Sequence, residues 1–192
     1  MPIVHNILRV QGSSAKTAAL FDFISDRRYG RGSLDLNKIT PMPPWVYRKP
    51  TNLEILKKYK EENCQRGWCL RNWGIEKNIL YPEESKKAYD GGSAISFKTP
   101  DSDIKELISK LSLIFKDVYI DYLWASEDIG SNVGAVQYKD GKALIEFIPA
   151  PGTRAAIEKS LDIIGARASD FGLIYDPSTG NYEYRGDFID AR

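Results

Sequence analysis

The chain is poor in the residues that most often carry chemistry. Its 192 residues include one histidine, His5, and two cysteines, Cys64 and Cys69, in "CQRGWC". A structural zinc site takes about four Cys or His ligands, which one Cys-x4-Cys pair cannot supply. The cysteines are therefore expected as reduced thiols beside a partly buried loop. A Ser or Cys nucleophile usually needs a base, most often histidine. His5 falls in a predicted central strand, where a histidine is ordinarily structural. Neither GxxxxGK[ST] nor GxGxxG stands between a strand and a helix, so these phosphate cradles are absent. No apolar run approaches the roughly 20 residues that span a bilayer. "MPIVHNILRVQG" lacks a basic region followed by an apolar run, so it does not read as a signal peptide. Charge of either sign is not in excess: 27 Lys and Arg against 26 Asp and Glu, a net of +1. That balance gives no global steering toward nucleic acid or anionic membrane. A cytoplasmic protein with no metal or other cofactor is expected.

What is present is hydrophobic patterning. "IVHNILRV" (3–10) reads as a strand. "GSSAKTAALFDFISD" (12–26) reads as a helix that Ser13 or Ser14 can cap, with Leu20, Phe21 and Ile24 on one face. "SLDLNKI" (33–39) alternates Leu34 and Leu36 and is expected as a second strand. The prolines of "TPMPPW" (40–45) then break regular structure. "TNLEILKKYKEEN" (51–63) is a surface helix whose Thr51 and Glu54 suit a capping box. "QRGWCLRNWGIEKN" (65–78) shows no period and is expected as a loop, although it holds Trp68 and Trp73, two of four tryptophans. "SAISFKT" (93–99) is a strand. "PDSDIKELISKLSLIF" (100–115) is the strongest helix, with Ile104, Leu107, Ile108, Leu111 and Phe115 in one stripe and Asp101 or Ser102 as its cap. "DVYIDYLWA" (117–125) is a strand. "VGAVQYK" and "KALIEFI" flank Asp140-Gly141, a strong two-residue hairpin signal. "PGTRAAIEKSLDIIG" (151–165) is a further helix, and residues 171–190 suggest a hairpin around 178–181.

With residues 40–92 set aside, the order is strand, helix, strand, strand, helix, strand. That order predicts an α+β chain with a ferredoxin-like (βαββαβ) antiparallel sheet. The long insertion, 40–92, joins strands 2 and 3. Residues 1–149 make up this domain, including the added hairpin. Residues 150–192 form a C-terminal helix and hairpin packed on it.

"NKITPMPP" (37–44), "NWG" (72–74) and "DVYIDYLWASEDIGSNVG" (117–134) resemble motifs of the YubB-type ferredoxin-like proteins of phages, plasmids and other mobile elements. The resemblance covers roughly residues 1–145 and follows the element order above. This chain departs from that pattern at Lys77-Asn78, where a second tryptophan is common, and at "PDSD", the entry to the second core helix. The resemblance implies a mobile-element protein of a bacterial host cell. It supplies no catalytic residues.

Three functions follow as expectations. The first is a non-enzymatic accessory protein that binds a host or element-encoded protein through its insertion or a sheet edge. The insertion would contribute Arg66, Trp68, Arg71, Asn72, Trp73 and Lys77, because interface centres favour Trp and Arg. Trp73 is expected to pin the insertion to the core, and Trp68 to be exposed as a contact. The second is single-stranded nucleic acid binding, with Tyr119, Tyr122, Trp124 and Tyr138 as stacking candidates on strands, and Arg66, Arg71, Lys77 and the tryptophans of the 65–78 loop beside them. Tyr122 and Trp124 share the face of Val118 and Ile120, and are expected in the core. The third is a divalent-metal-dependent enzyme built on the acidic turn of Glu127 and Asp128.

Overall fold

The structure is a computed structural model, and it describes residues 2–185. Strand β1 (Ile3–Gln11) turns Val4, Asn6, Leu8 and Val10 inward on alternate positions. Helix α1 (Ser14–Ile24) follows, and its Ser13 cap accepts from the Lys16 amide. Three short helices occupy the insertion: α2 (Leu53–Tyr59), α3 (Gln65–Trp73) and α4 (Pro82–Ala88). Strand β2 (Ala94–Pro100), helix α5 (Lys105–Ile114) and strand β3 (Tyr119–Ser126) come next. The hairpin of β4 (Val133–Lys139) and β5 (Lys142–Phe147) turns at Asp140 and Gly141, both at positive φ. Helix α6 (Arg154–Ile164) and a hairpin of β6 (Leu173–Asp176) and β7 (Asn181–Tyr184) complete the described chain. Residues 186–190, expected in that hairpin, lie outside the described residues.

The fold is ferredoxin-like. The main sheet runs β2-β1-β3-β4-β5, with every neighbour antiparallel. β2, α5 and β3 form a split βαβ unit with β1 between the two strands. One face of the sheet packs against α1 and α5 in the main core, which includes Leu20, Phe21, Leu107 and Leu111. Helix α6 covers part of the other face, where Ala156 and Ile163 meet Leu123, Ala125 and Val133.

Three sequence expectations are corrected. Residues 33–39 are not a strand. The Asp35 carboxylate accepts from the Asn37 amide and caps a 3-10 turn over Leu36–Lys38. A local side-chain bond of this kind competes with a sheet ladder, and here it wins. The outer edge of β2 is met instead by Leu80, whose amide donates to the Lys98 carbonyl at 2.9 Å. The insertion therefore runs from α1 to β2. Second, residues 65–73 are helical, not a loop. Third, Asn52 rather than Thr51 caps α2, and α5 has no side-chain cap from Asp101 or Ser102. The buried Tyr122 hydroxyl accepts from the Ile104 amide at the start of α5 instead.

Candidate functional site

The expected insertion surface is mostly structural. Trp68 is only 4% exposed, and Trp73 is equally buried, so the expectation of an exposed Trp68 fails. The two indoles meet edge to face at 5.4 Å. The physical reason lies in α3. Cys69 and Trp73 are one helical turn apart and both face the core, and Gly74 ends the helix in the left-handed region. Gly67 is required within the helix because a Cβ there would collide with the Glu61 carbonyl. The i, i+4 spacing of Cys69 and Trp73 before a glycine stop was the available helix signal.

The polar residues around α3 are also engaged internally. Arg66 pairs with Glu61 and Glu76, and Arg71 donates to the Glu62 carbonyl at 2.7 Å. The Asn72 side chain donates to the Trp68 carbonyl. Trp73 Nε1 donates to the Thr40 carbonyl at 2.9 Å, joining "NWG" to the proline-rich segment. Lys77 is exposed. The expected division of labour holds for Trp73, and α3 is a packed brace.

The acidic turn is likewise braced. Glu127 lies 3.1 Å from His5 Nε2. The Gly130 amide donates to the buried Ser160 hydroxyl of α6, and Asn132 accepts from Trp124 Nε1. Among the described residues, no group of three or more His, Cys, Asp or Glu side chains is placed to hold a metal ion. Of the four aromatic stacking candidates, Tyr122, Trp124 and Tyr138 are buried and only Tyr119 is exposed. On that open half of the sheet face, Asp121 accepts from Gln11 and from Gln137.

The exposed apolar surface gathers elsewhere, at the free edge of the sheet. Every residue of β5 is exposed, including Leu144, Ile145 (64%) and Phe147. Ile148 continues the series, and Leu113 and Ile114 at the end of α5 are half exposed. Leu113 lies beside the β4–β5 turn, against Gly141. On the other face, Ile145 and Phe147 line a cleft with Arg9, Leu123, Ala135 and Gln137. Exposed apolar side chains along an open edge are unusual, because solvent-facing edges are normally protected. A bulge at Leu144, opposite Gln137 and Tyr138, supplies limited protection together with Lys142 and Glu146. Sequence reasoning named a sheet edge without locating it, because "KALIEFI" has the composition of a buried strand.

Fold and site together define an α+β protein of the ferredoxin-like class, with a braced insertion and one open apolar edge. Residues 80–166 match the family model described as "Ferredoxin-like domain in Api92-like protein". The match begins at the Leu80 bridge and ends just past α6, so it covers four of the five strands of the main sheet. No curated protein and no solved structure matches the chain. Among the described residues, no helix is long and apolar enough to cross a membrane.

Proposed function

We propose that this is a non-enzymatic protein-binding module that engages its partner at the β5 edge. One observation carries the reading: β5 is exposed along its whole length and carries the apolar side chains Leu144, Ile145 and Phe147. Such an edge offers unpaired backbone groups for an added strand and side chains that gain from leaving water. The bulge and the charges of Lys142 and Glu146 discourage indiscriminate edge pairing, which favours a specific partner. The resemblance to YubB-type proteins supports a cytoplasmic accessory role in a phage- or plasmid-bearing bacterium, with a host or element-encoded protein as the partner.

The test is capture from nuclease-treated bacterial lysate by the wild type and by the double variant Ile145→Asp/Phe147→Glu. Both positions are exposed, so the variant should keep the wild-type melting temperature. A protein retained by the wild type and lost by the variant supports the reading. Equal capture by both sinks it, and capture abolished by nuclease points to a nucleic acid instead.

A further inference from the structure

A second exposed surface, on the insertion, has a different chemistry. Between Trp45 and Lys60 the chain carries five cations, Arg48, Lys49, Lys57, Lys58 and Lys60, against one carboxylate, Glu54. This is a net of +4, and because the whole chain totals +1, the remainder is −3. The segment is more cationic than the chain as a whole, and it ends directly before Glu61 and Glu62. All five cations are exposed, and none pairs with a carboxylate among the described residues. Arg48 donates only to the Met42 and Pro43 carbonyls, which leaves its charge uncompensated. Arg66, by contrast, pairs with Glu61 and Glu76.

The segment also presents an aromatic ring. Trp45 is 60% exposed, unlike Trp68, Trp73 and Trp124, which are buried. It is held on an ordered turn. Val46 beside it is buried, and Tyr47 exchanges backbone bonds with the stretch before α3, donating to Asn63 and accepting from Gln65. The Tyr47 ring stacks on Tyr59 at 4.8 Å, which ties the Trp45–Lys49 stretch to the end of α2. Lys58 Nζ lies 5.3 Å from the centre of the Tyr59 ring, and Lys57 and Lys60 are close to Tyr59 in the chain.

We infer that the Trp45–Lys60 segment is a binding site for single-stranded nucleic acid. Its unpaired cations would contact phosphates, and the Trp45 indole would stack on an unpaired base. Proteins that bind single strands without sequence preference combine these two elements, a cationic track and an open aromatic face. Duplex is disfavoured because its bases are already stacked and leave the indole without a partner. The site shares no residue with the sheet-face aromatics or with Arg66, Arg71, Lys77 and the tryptophans of α3, and it is separate from the β5 edge.

The test is titration of the intact protein with a 20-nucleotide oligothymidine, read by Trp45 fluorescence and by anisotropy of a labelled strand. The expected result is binding at low salt that quenches tryptophan emission. Affinity should fall with salt at a log–log slope of about −0.7 per phosphate contacted. Trp45→Ala should weaken binding about 5–100-fold through lost stacking. Lys57→Glu/Lys58→Glu should weaken it further and flatten the salt slope. Trp45 is exposed, so Trp45→Ala should melt like the wild type; Lys57 and Lys58 lie in the last turn of α2, so the melting temperature of that double variant is measured alongside its binding. Ile145→Asp/Phe147→Glu should bind the oligonucleotide normally, which separates this site from the β5 reading. No binding at low salt, or equal binding by wild type and variants, overturns the inference. Tighter binding to vesicles containing phosphatidylserine, or equal displacement by polyglutamate, also overturns it in favour of a general anionic surface.

Discussion

The indole nitrogen of Trp73 donates to the carbonyl of Thr40 at 2.9 Å. This one bond joins two stretches 33 residues apart, the end of α3 and the proline-rich break after the 3-10 turn. Around it, the Asn78 side chain donates to Asp35 and accepts from the Leu36 amide. The Met42 amide donates to Asn37. The motifs "NKITPMPP" and "NWG" are therefore fastenings of the insertion.

Trp73→Phe keeps an aromatic ring but leaves the Thr40 carbonyl without its partner. The Thr40 carbonyl is partly buried, and the lost bond together with the space left by the smaller ring should cost about 1–3 kcal/mol. The variant should unfold at lower denaturant with an unchanged m-value, and capture of a protein partner at β5 should persist. Lost capture at full stability would place Trp73 in the binding surface.

Gly134 sits opposite Trp124 in the β3–β4 pair, and a Cβ there would collide with the indole ring. Gly134→Ala should destabilise the fold by about 1–3 kcal/mol through overpacking. Thermal unfolding measures this directly. The paired variant Gly134→Ala/Trp124→Phe should recover part of the loss if ring size is the cause.

Cys64 and Cys69 are both buried. Burial pushes the Cys69 thiol up to about 11 from an ordinary 9.0, because the thiolate is disfavoured away from water. Neither thiol should react with a disulfide reagent at pH 8 until the protein unfolds. The raised value also sets a sign for stability. The unfolded chain ionises Cys69 first, so this contribution is full below about pH 9 and is lost as pH rises toward about 11. A Cys69→Ala variant should show a shallower decline across that window.

Four tryptophans divide cleanly by exposure: Trp45 is open, and Trp68, Trp73 and Trp124 are buried. Acrylamide should quench one component strongly, and Trp45→Phe should remove it. If Trp68→Phe removed it instead, the packing of α3 described above would be wrong.

The long periodic elements were legible in the sequence for physical reasons. The α5 stripe, the Ser13 cap of α1 and the Asp140-Gly141 turn are local devices that act in the same way in any fold. Helix α3 carries only a weak local signal, the Cys69–Trp73 spacing before Gly74, because it packs with three buried residues and contains Gly67. That glycine is explained by a tertiary approach to Glu61, which no window of sequence contains. The false second strand has the opposite origin, since its alternating leucines are truly buried, but the Asp35 turn folds them inward without a ladder. Part of the candidate surface was legible as composition. The cations and Trp45 stand close together in the chain, but nothing local shows that their charges are unpaired. The exposure of β5 was hidden, because whether an apolar strand is central or at an edge depends on what pairs with it.

The most direct measurement of the central claim is site-specific photo-crosslinking in bacterial lysate. A photoreactive phenylalanine analogue is placed at position 147 on β5 and, in a second variant, at position 77 after α3. The β5 reading predicts a discrete protein adduct from position 147 that survives nuclease treatment, and none from position 77. Adducts from position 77 alone, or none from 147, would contradict it.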